Sequence, residues 1–285
     1  MVASIFYNQP TWQKLLCNFI DPFVKENQSK IAHWHLSLST YRGAHINFVF
    51  QANQGNDLTE IFKISAQQYL ENYPSAIQAI DYPLDTLFMD YPVNTVEYDN
   101  ERLYPTTFDS SLFSIRQHLS EIIIQTLGEH EIDIESIFTL IVYLQFGIIK
   151  AGFTNTKTAR INTLKLVLHL TTQSETPNPN QADEEKSKHF IALFEYNKDI
   201  FKEIIEEIWS DEPYSSELQW MTGWEDECKN YLQDREFHVV FLLLSQIAYQ
   251  QAGLNSNGIL LDASRQILKI FNQVTRTMEG IIRLA

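Results

Sequence analysis

Two stretches near the N-terminus alternate in polarity with a period of two, and this pattern limits the fold more than any other feature of the chain. In "HWHLSLS", from His33, Trp34, Leu36 and Leu38 fall on one side and His35, Ser37 and Ser39 on the other. In "TYRGAHINFVFQA", Thr40 to Ala52, Ile46, Phe48 and Phe50 oppose His45, Asn47, Val49 and Gln51. Gly43 lies in the connection, around Tyr41 to Ala44, where a tight turn favours it. The two stretches predict an antiparallel hairpin with one apolar face and one polar face. A strand face of histidine and amide is equipped to hold a ligand, so the polar side raises the functional question.

Helical periodicity governs most of the remainder. Leu15, Leu16, Phe19, Ile20, Phe23 and Val24 mark a helix over Thr11 to Val24, with Thr11 as N-cap and Pro22 expected to kink or end it. Asp57 to Tyr73 is a second helix, with Leu58, Ile61, Phe62, Tyr69 and Leu70 inward. The proline-punctuated region Pro74 to Pro105 holds one short strand, "NTVEYD" from Asn94. Further helices follow over Asp109 to Leu127, Ile132 to Ala151, Asn162 to Leu170, Phe190 to Ile208, Trp224 to Gln251 with a break near Arg235, and Asp262 to Leu284. Residues 171–189, "TTQSETPNPNQADEEKSKH", lack periodicity and read as a flexible surface loop. The expected class is α+β: a small antiparallel sheet near the N-terminus packed against a larger helical part. We expect one domain over 1–285, with a sheet-containing part at 1–105 and a helical part at 106–285.

Charge narrows the partners. With 21 basic against 36 acidic residues the net charge is −15, a field that repels phosphate backbones and anionic membranes. Neither nucleic acid nor membrane is therefore an expected partner. Cys17 and Cys228 lie far apart on apolar helical patterns and read as buried free thiols in a reducing compartment. "MVASIFYNQP" has no secretion-signal pattern, and the run "HVVFLLLSQIAY" from His238 is too short to span a bilayer. A cytoplasmic protein is expected.

The chain has no glycine-rich phosphate loop, no Gly-x-Ser-x-Gly elbow, no HExxH and no CxxC. His33 and His35 share a strand face and form half of a metal set, but no further ligands stand at telling spacing. Polar residues on a half-solvated strand explain them without a metal. Neither metal nor cofactor is expected.

The order of features extends the reading. A "YNQPTWQKLL…FI.PFVKE" helix precedes a strand, a turn and "GAHINFVF"; "VEYDNERLYP" comes later, then helices. This order resembles the elimination domain that forms the C-terminal part of lantibiotic dehydratases and also occurs alone as a thiopeptide-type bacteriocin biosynthesis protein. The likeness spans nearly the whole chain. It implies that a glutamyl ester on Ser or Thr of a precursor peptide is eliminated to a dehydro residue. That reaction needs a base for the α-proton and cationic or hydrogen-bonding groups for the glutamate and developing enolate.

Residue by residue, the resemblance is incomplete. The family hairpin reads like "GPHLRLRF"; here Gly43 and His45 match, while Asn47 and Val49 stand at the arginine positions. In the family's "YEPExERYG"-like motif, Tyr98, Glu101 and Arg102 match. The family's "LHMxxNRLGL" helix aligns with "SQIAYQQAGL", so Gln246 replaces its catalytic His, and Gln250 and Gln251 replace Asn and Arg. His238 lies eight residues before Gln246 and is either a substitute or a core histidine. The resemblance implies Arg102 and His238 as catalytic residues and Arg42, His45, Asn47, Tyr98, Gln246 and Gln250 as substrate-binding ones. Arg42 has an alternative reading as a solvent-facing turn residue.

Three activities follow from it. One is glutamate elimination beside a glutamylating dehydratase partner. The second is that of the family's pyridine synthases, which share the scaffold, do without the arginines and join two dehydroalanines in a formal [4+2] cyclisation. The third is a non-catalytic peptide-binding or scaffolding subunit. All three imply a precursor peptide as partner, and sheet edges admit a homodimer.

Overall fold

The hairpin is part of a four-stranded sheet. In the computed structural model, which describes residues 1–53, 58–76, 90–105, 109–128, 134–153, 155–173, 192, 196–210, 212–254 and 257–282, the strands are β1 (Val2–Phe6), β2 (Ile31–Ser39), β3 (His45–Ala52) and β4 (Thr95–Tyr98). Their order is β2-β3-β1-β4, antiparallel throughout. β1 is absent from the sequence-based reading. All five of its residues are buried, so it has no polar alternation to announce it. The hairpin turn carries positive φ at Arg42 (58°) and Gly43 (110°). The expected α+β class is the one observed.

The apolar sheet face is covered by aromatic side chains. Phe23 meets Phe48 and Phe62 edge-on at 6.2 and 5.0 Å, and Phe62 stacks on Phe48 at 5.3 Å. Phe23 belongs to α2 (Asp21–Asn27) and Phe62 to α3 (Leu58–Asn72). The first helix is not the continuous one expected. A 3₁₀ turn at Gln9–Thr11 leads into α1 (Trp12–Leu15), a π turn at Leu16–Ile20, then α2. Pro22 neither ends the helix nor leaves a lost bond, because it falls in the first turn of α2, where its missing N–H costs nothing. Thr11 contributes no side-chain cap.

The outer edge of β2 is closed by side chains. Ser120, on α4 (Phe113–Leu127), accepts the Leu36 N–H at its Oγ (2.9 Å) and donates its own proton to the Arg116 carbonyl (2.7 Å). The Gln251 amide donates to Leu36 O (2.8 Å), Arg116 O (2.9 Å) and Ser120 Oγ (2.9 Å). An edge strand offers unpaired backbone groups for association; at Leu36 both groups are taken. Asp109 caps the start of this helical segment, accepting the Ser111 N–H at 2.9 Å.

The chain divides into two compact units, Met1–Phe138 with Gln250–Gly253, and Thr139–Tyr249 with Leu254–Ala285. The compositional boundary expected at 105/106 falls inside the first, since α4 packs along β2. The second unit takes most of α5 (Ile134–Gly152), then α6 (Thr156–Gln173), α7 (Lys198–Ile208), α8 (Trp220–Leu232), most of α9 (Phe237–Gln251), and α10 (Asn257–Ile282). Of the expected loop, 171–173 end α6 and 174–189 lie outside the described residues, as do 77–89 of the proline-rich region.

α5 is long and apolar enough over Glu135–Gly152 to cross a bilayer, a segment the sequence-based reading passed over. Its packing is that of a core helix. Gly147 admits the Trp224 indole, whose N–H donates to Leu144 O at 2.9 Å, and Gln145 donates to Ser245 (3.0 Å) and Ser264 (2.7 Å). Cys228 is buried beside these helices, whereas Cys17 is half-buried, its thiol 3.2 Å from Gly128 O.

α9 ends in a Schellman motif: Leu254 N–H bonds Tyr249 O (2.8 Å) and Gly253 N–H bonds Gln250 O (3.3 Å). Gly253 has φ +85°, and a Cβ there would lie 3.0 Å from Leu38 O. Gly253→Ala should therefore destabilise the protein by about 1–3 kcal/mol, from left-handed strain and the contact with β2. Urea unfolding checks this; an unchanged midpoint would contradict it.

Candidate functional site

The second face of the sheet carries the polar residues singled out from sequence, and it is buried rather than half-solvated. Register places Ser4, Asn47 and Ser37 in one row across β1, β3 and β2, with Glu97 of β4 beside Ser4. Ser4 Oγ donates to Asn47 Oδ1 (2.6 Å), and Asn47 Nδ2 donates to Ser37 Oγ (3.3 Å). The Tyr104 hydroxyl hydrogen-bonds Ser37, and burial raises its pKa. Asn100 Nδ2 donates to Tyr91 Oη (3.1 Å) and Glu97 Oε2 (3.4 Å). The segment around β4 thus supplies the polar partners that let this face be covered.

Histidines occupy the rows on either side. His33 Nε2 and His35 Nδ1 are 2.9 Å apart, and Phe113 stacks on His33 at 4.0 Å. Burial, reinforced by the Arg116 charge, lowers the pKa of His33 to about 4 and that of His35 to about 2. Both rings are neutral near pH 7, one donating a proton to the other's lone pair. His45 lies on the far side of Asn47, fully buried, with its ring 4.7 Å from Phe6. Its Nδ1 is 2.8 Å from Gly43 O, so Nδ1 carries the proton and Nε2 the lone pair. Nε2 is buried without a hydrogen-bond partner among the described residues, and burial lowers this pKa too.

Arg42 is not a solvent-facing turn residue. Its guanidinium lies 4.9 Å from the Tyr91 ring centre, Tyr91 N–H donates to Arg42 O (3.0 Å), and Tyr91 stacks on Phe6. Cation and ring hold the hairpin turn against the segment leading to β4.

Two hollows adjoin the sheet. One, of about 220 Å³, is lined by Met1, Val2, His33, Val49, Phe50, Gln51, Asp99 and Phe113. Val49 is an apolar wall here; among the described residues no Lys or Arg side chain lines this hollow, and Asp99 adds a carboxylate. The other, of about 600 Å³, lies between α3 and β4 and includes Glu60, Lys63, Gln67, Glu71 and Tyr98. Tyr98 pairs with Ala3 and so faces away from the Asn47 row. The Lys63 ammonium is 5.7 Å from the Tyr98 ring, and burial raises the phenol pKa.

The remaining predicted residues are dispersed. Arg102 is exposed in the turn after β4, its backbone N–H donating to Asn100 Oδ1 (3.2 Å). Gln246 and Gln250 are half-buried on α9. His238, near the start of α9, is no core histidine: its side chain is 45% exposed and its Nδ1 is 3.4 Å from Glu236. Sequence reasoning missed Ser4, Tyr104, Ser120 and the structural use of Gln251. Ser4 and Ser120 lie outside the quoted motifs, Tyr104 lies inside "VEYDNERLYP" but is not one of its matched residues, and the motif alignment gives Gln251 only as an arginine replacement. Among the described residues no group of three or more His, Cys, Asp or Glu is placed to hold a metal ion.

No protein-family model matches the chain, and no curated protein does. Among solved structures it is similar to the pyridine synthase TbtD from thiomuracin biosynthesis, with a TM-score of 0.62 and 14% identity, covering 98% of both chains. That similarity shows a shared fold.

The neutral histidine pair has a measurable consequence. Because folding lowers their pKa values from 6.5, the unfolded chain binds the extra protons, so this stabilisation is complete above pH 6.5 and is lost as pH falls. Each ring should contribute up to about 1.4 kcal/mol per pH unit to that slope. The His33 part levels off near pH 4. Denaturant unfolding between these pH values should show a shallower slope for His33→Phe than for wild type; equal slopes would refute neutral burial.

Proposed function

We propose that this protein acts in the maturation of a ribosomally made peptide as a relative of the pyridine synthases, joining two dehydroalanines in a formal [4+2] cyclisation. The observation that carries this reading is the likeness to a pyridine synthase along 98% of both chains. The sheet supports it against glutamate elimination. On the motif resemblance, Asn47 and Val49 stand at the positions of the carboxylate-binding arginines; Asn47 is spent on Ser4 and Ser37, and Val49 walls a hollow that no Lys or Arg side chain lines among the described residues. A charge-assisted clamp contributes roughly 1.5–3 kcal/mol per bond, and nothing at those two positions replaces it.

Cyclisation asks for something different. Two alkenes of one peptide must be held within reacting distance, so positioning supplies most of the rate. Neutral donors and acceptors suit an uncharged dehydropeptide. In this reading Arg42, His45 and Gln250 bind substrate, Asn47 shapes the sheet face through Ser4 and Ser37, and Tyr98 offers a contact in the separate hollow between α3 and β4. For Gln246, in the second unit, a binding role is proposed by itself. Arg102 stabilises developing negative charge on a substrate carbonyl oxygen. The substrate is a precursor peptide whose dehydroalanines come from a dehydrating partner enzyme.

The test presents the protein with two synthetic peptides, one with two dehydroalanines and one with glutamylated serine. Cyclisation should release the leader segment and create a pyridine chromophore from the first, with no glutamate freed from the second. Glutamate release, or binding without either product, would overturn the assignment. Arg102→Ala should abolish cyclisation and, being exposed, move stability by no more than about 0.5 kcal/mol; retained turnover or a stability collapse would remove Arg102 from the catalytic role.

A further inference from the structure

The sheet has two edges, and they are finished differently. On β2, Ser120 and Gln251 take both backbone groups of Leu36. On β4, Glu97 pairs with Ser4 of β1, and Asp99 N–H donates to Val2 O (2.9 Å). Backbone groups alternate in direction along an antiparallel strand, so those of Val96 and Tyr98 point outward. No hydrogen bond among the described residues takes them. Such an edge is a template for another strand.

α3 lies beside this edge and runs antiparallel to β4. Lys63 reaches the Tyr98 ring (5.7 Å), and just past the other end of α3 the Ser75 N–H donates to Asn94 Oδ1 (2.8 Å). The face of α3 turned toward β4 carries Glu60, Lys63, Ile64, Gln67 and Glu71, at i, i+3, i+4, i+7 and i+11, and with Val96 and Tyr98 it lines the hollow of about 600 Å³. Ile64 is 57% exposed on this face, Gln67 and Glu71 are exposed, and the β4 residues are only half-buried. Helix and strand lie alongside in opposite directions. A two-fold axis perpendicular to the sheet at Val96 therefore also passes close to the middle of α3, near Gln67.

We infer that β4 and α3 form the interface with a second copy of this chain, the two sheets joining edge to edge across that axis. A two-fold interface must be complementary to itself, and this face is. β4 paired antiparallel with its own copy about Val96 lets the outward N–H and C=O of the two valines exchange hydrogen bonds. Symmetry about Gln67 sets Lys63 of each copy opposite Glu71 of the other, and Ile64 opposite Leu70. Within one copy Lys63 already meets Glu60 (2.7 Å) and Gln67 donates to Glu71 (2.9 Å), so the match adds ion pairs to side chains that are held along this face. A strand from an unrelated protein would satisfy β4 but leave the Lys63–Glu71 match without a purpose. Strand edges meet in the plane of the sheet, whereas Tyr98 points out of it toward α3, so the seam does not use up the Tyr98 contact. The dimer holds whether or not the protein carries out the cyclisation proposed above.

The test is sedimentation of the full-length protein over a concentration series. Salt of about 0.15 M screens the repulsion between two chains of net charge −15. Wild type should show a monomer–dimer equilibrium. Val96→Pro should abolish it and leave the monomer folded, because an edge strand accepts proline where the N–H faces solvent. Lys63→Glu and Glu71→Lys should each weaken association by about tenfold, since each sets like charges opposite one another. Mixed in equal amounts, these two variants should recover it, because both ion pairs then re-form across the axis, one with its signs exchanged. Circular dichroism checks that every variant folds; should Val96→Pro fail to fold, the mixture decides alone. A monomer at every concentration would overturn the inference. So would a dimer indifferent to a folded Val96→Pro, or a mixture that associates no better than its two components.

Discussion

Burial of a polar sheet face is the constraint on which the first half of this protein depends. A serine, an asparagine and a second serine lie abreast on three strands, and a tyrosine hydroxyl closes the row. Unpartnered, each such group would cost about 1–3 kcal/mol on leaving water. Linked side by side, they let the segment around β4 lie over the sheet. The histidines on either side obey the same rule by giving up charge, since an imidazolium buried near Arg116 would be penalised by desolvation and by repulsion. The site question and the folding question therefore concern the same residues.

The β2 edge shows a second use of polar side chains. Ser120 and Gln251 take the two backbone groups of Leu36, and Gly253 allows the chain to pass against Leu38. The Gln251 amide satisfies three acceptors without burying a charge. Asn47 is likewise spent on holding neighbouring strands together. Fold likeness alone does not transfer a reaction.

By itself the sequence determined what local periodicity can encode. The hairpin was legible because strict alternation exists only when one strand face differs from the other, and the helices because apolar residues recur on one side of a turn. The break near Arg235 and the Asp109 cap were legible for equally local reasons. Tertiary structure decided the rest. β1 escaped notice because burial on both faces erases alternation, and Pro22 fitted a helix because a π turn upstream moved it to a position where no N–H is required. Whether the histidine and asparagine face met solvent, ligand or protein depended on partners far along the chain: Ser4, Tyr104, Phe113 and Arg116. Hydrogen bonding and desolvation act across space rather than along sequence, so only the folded chain could show that this face was covered.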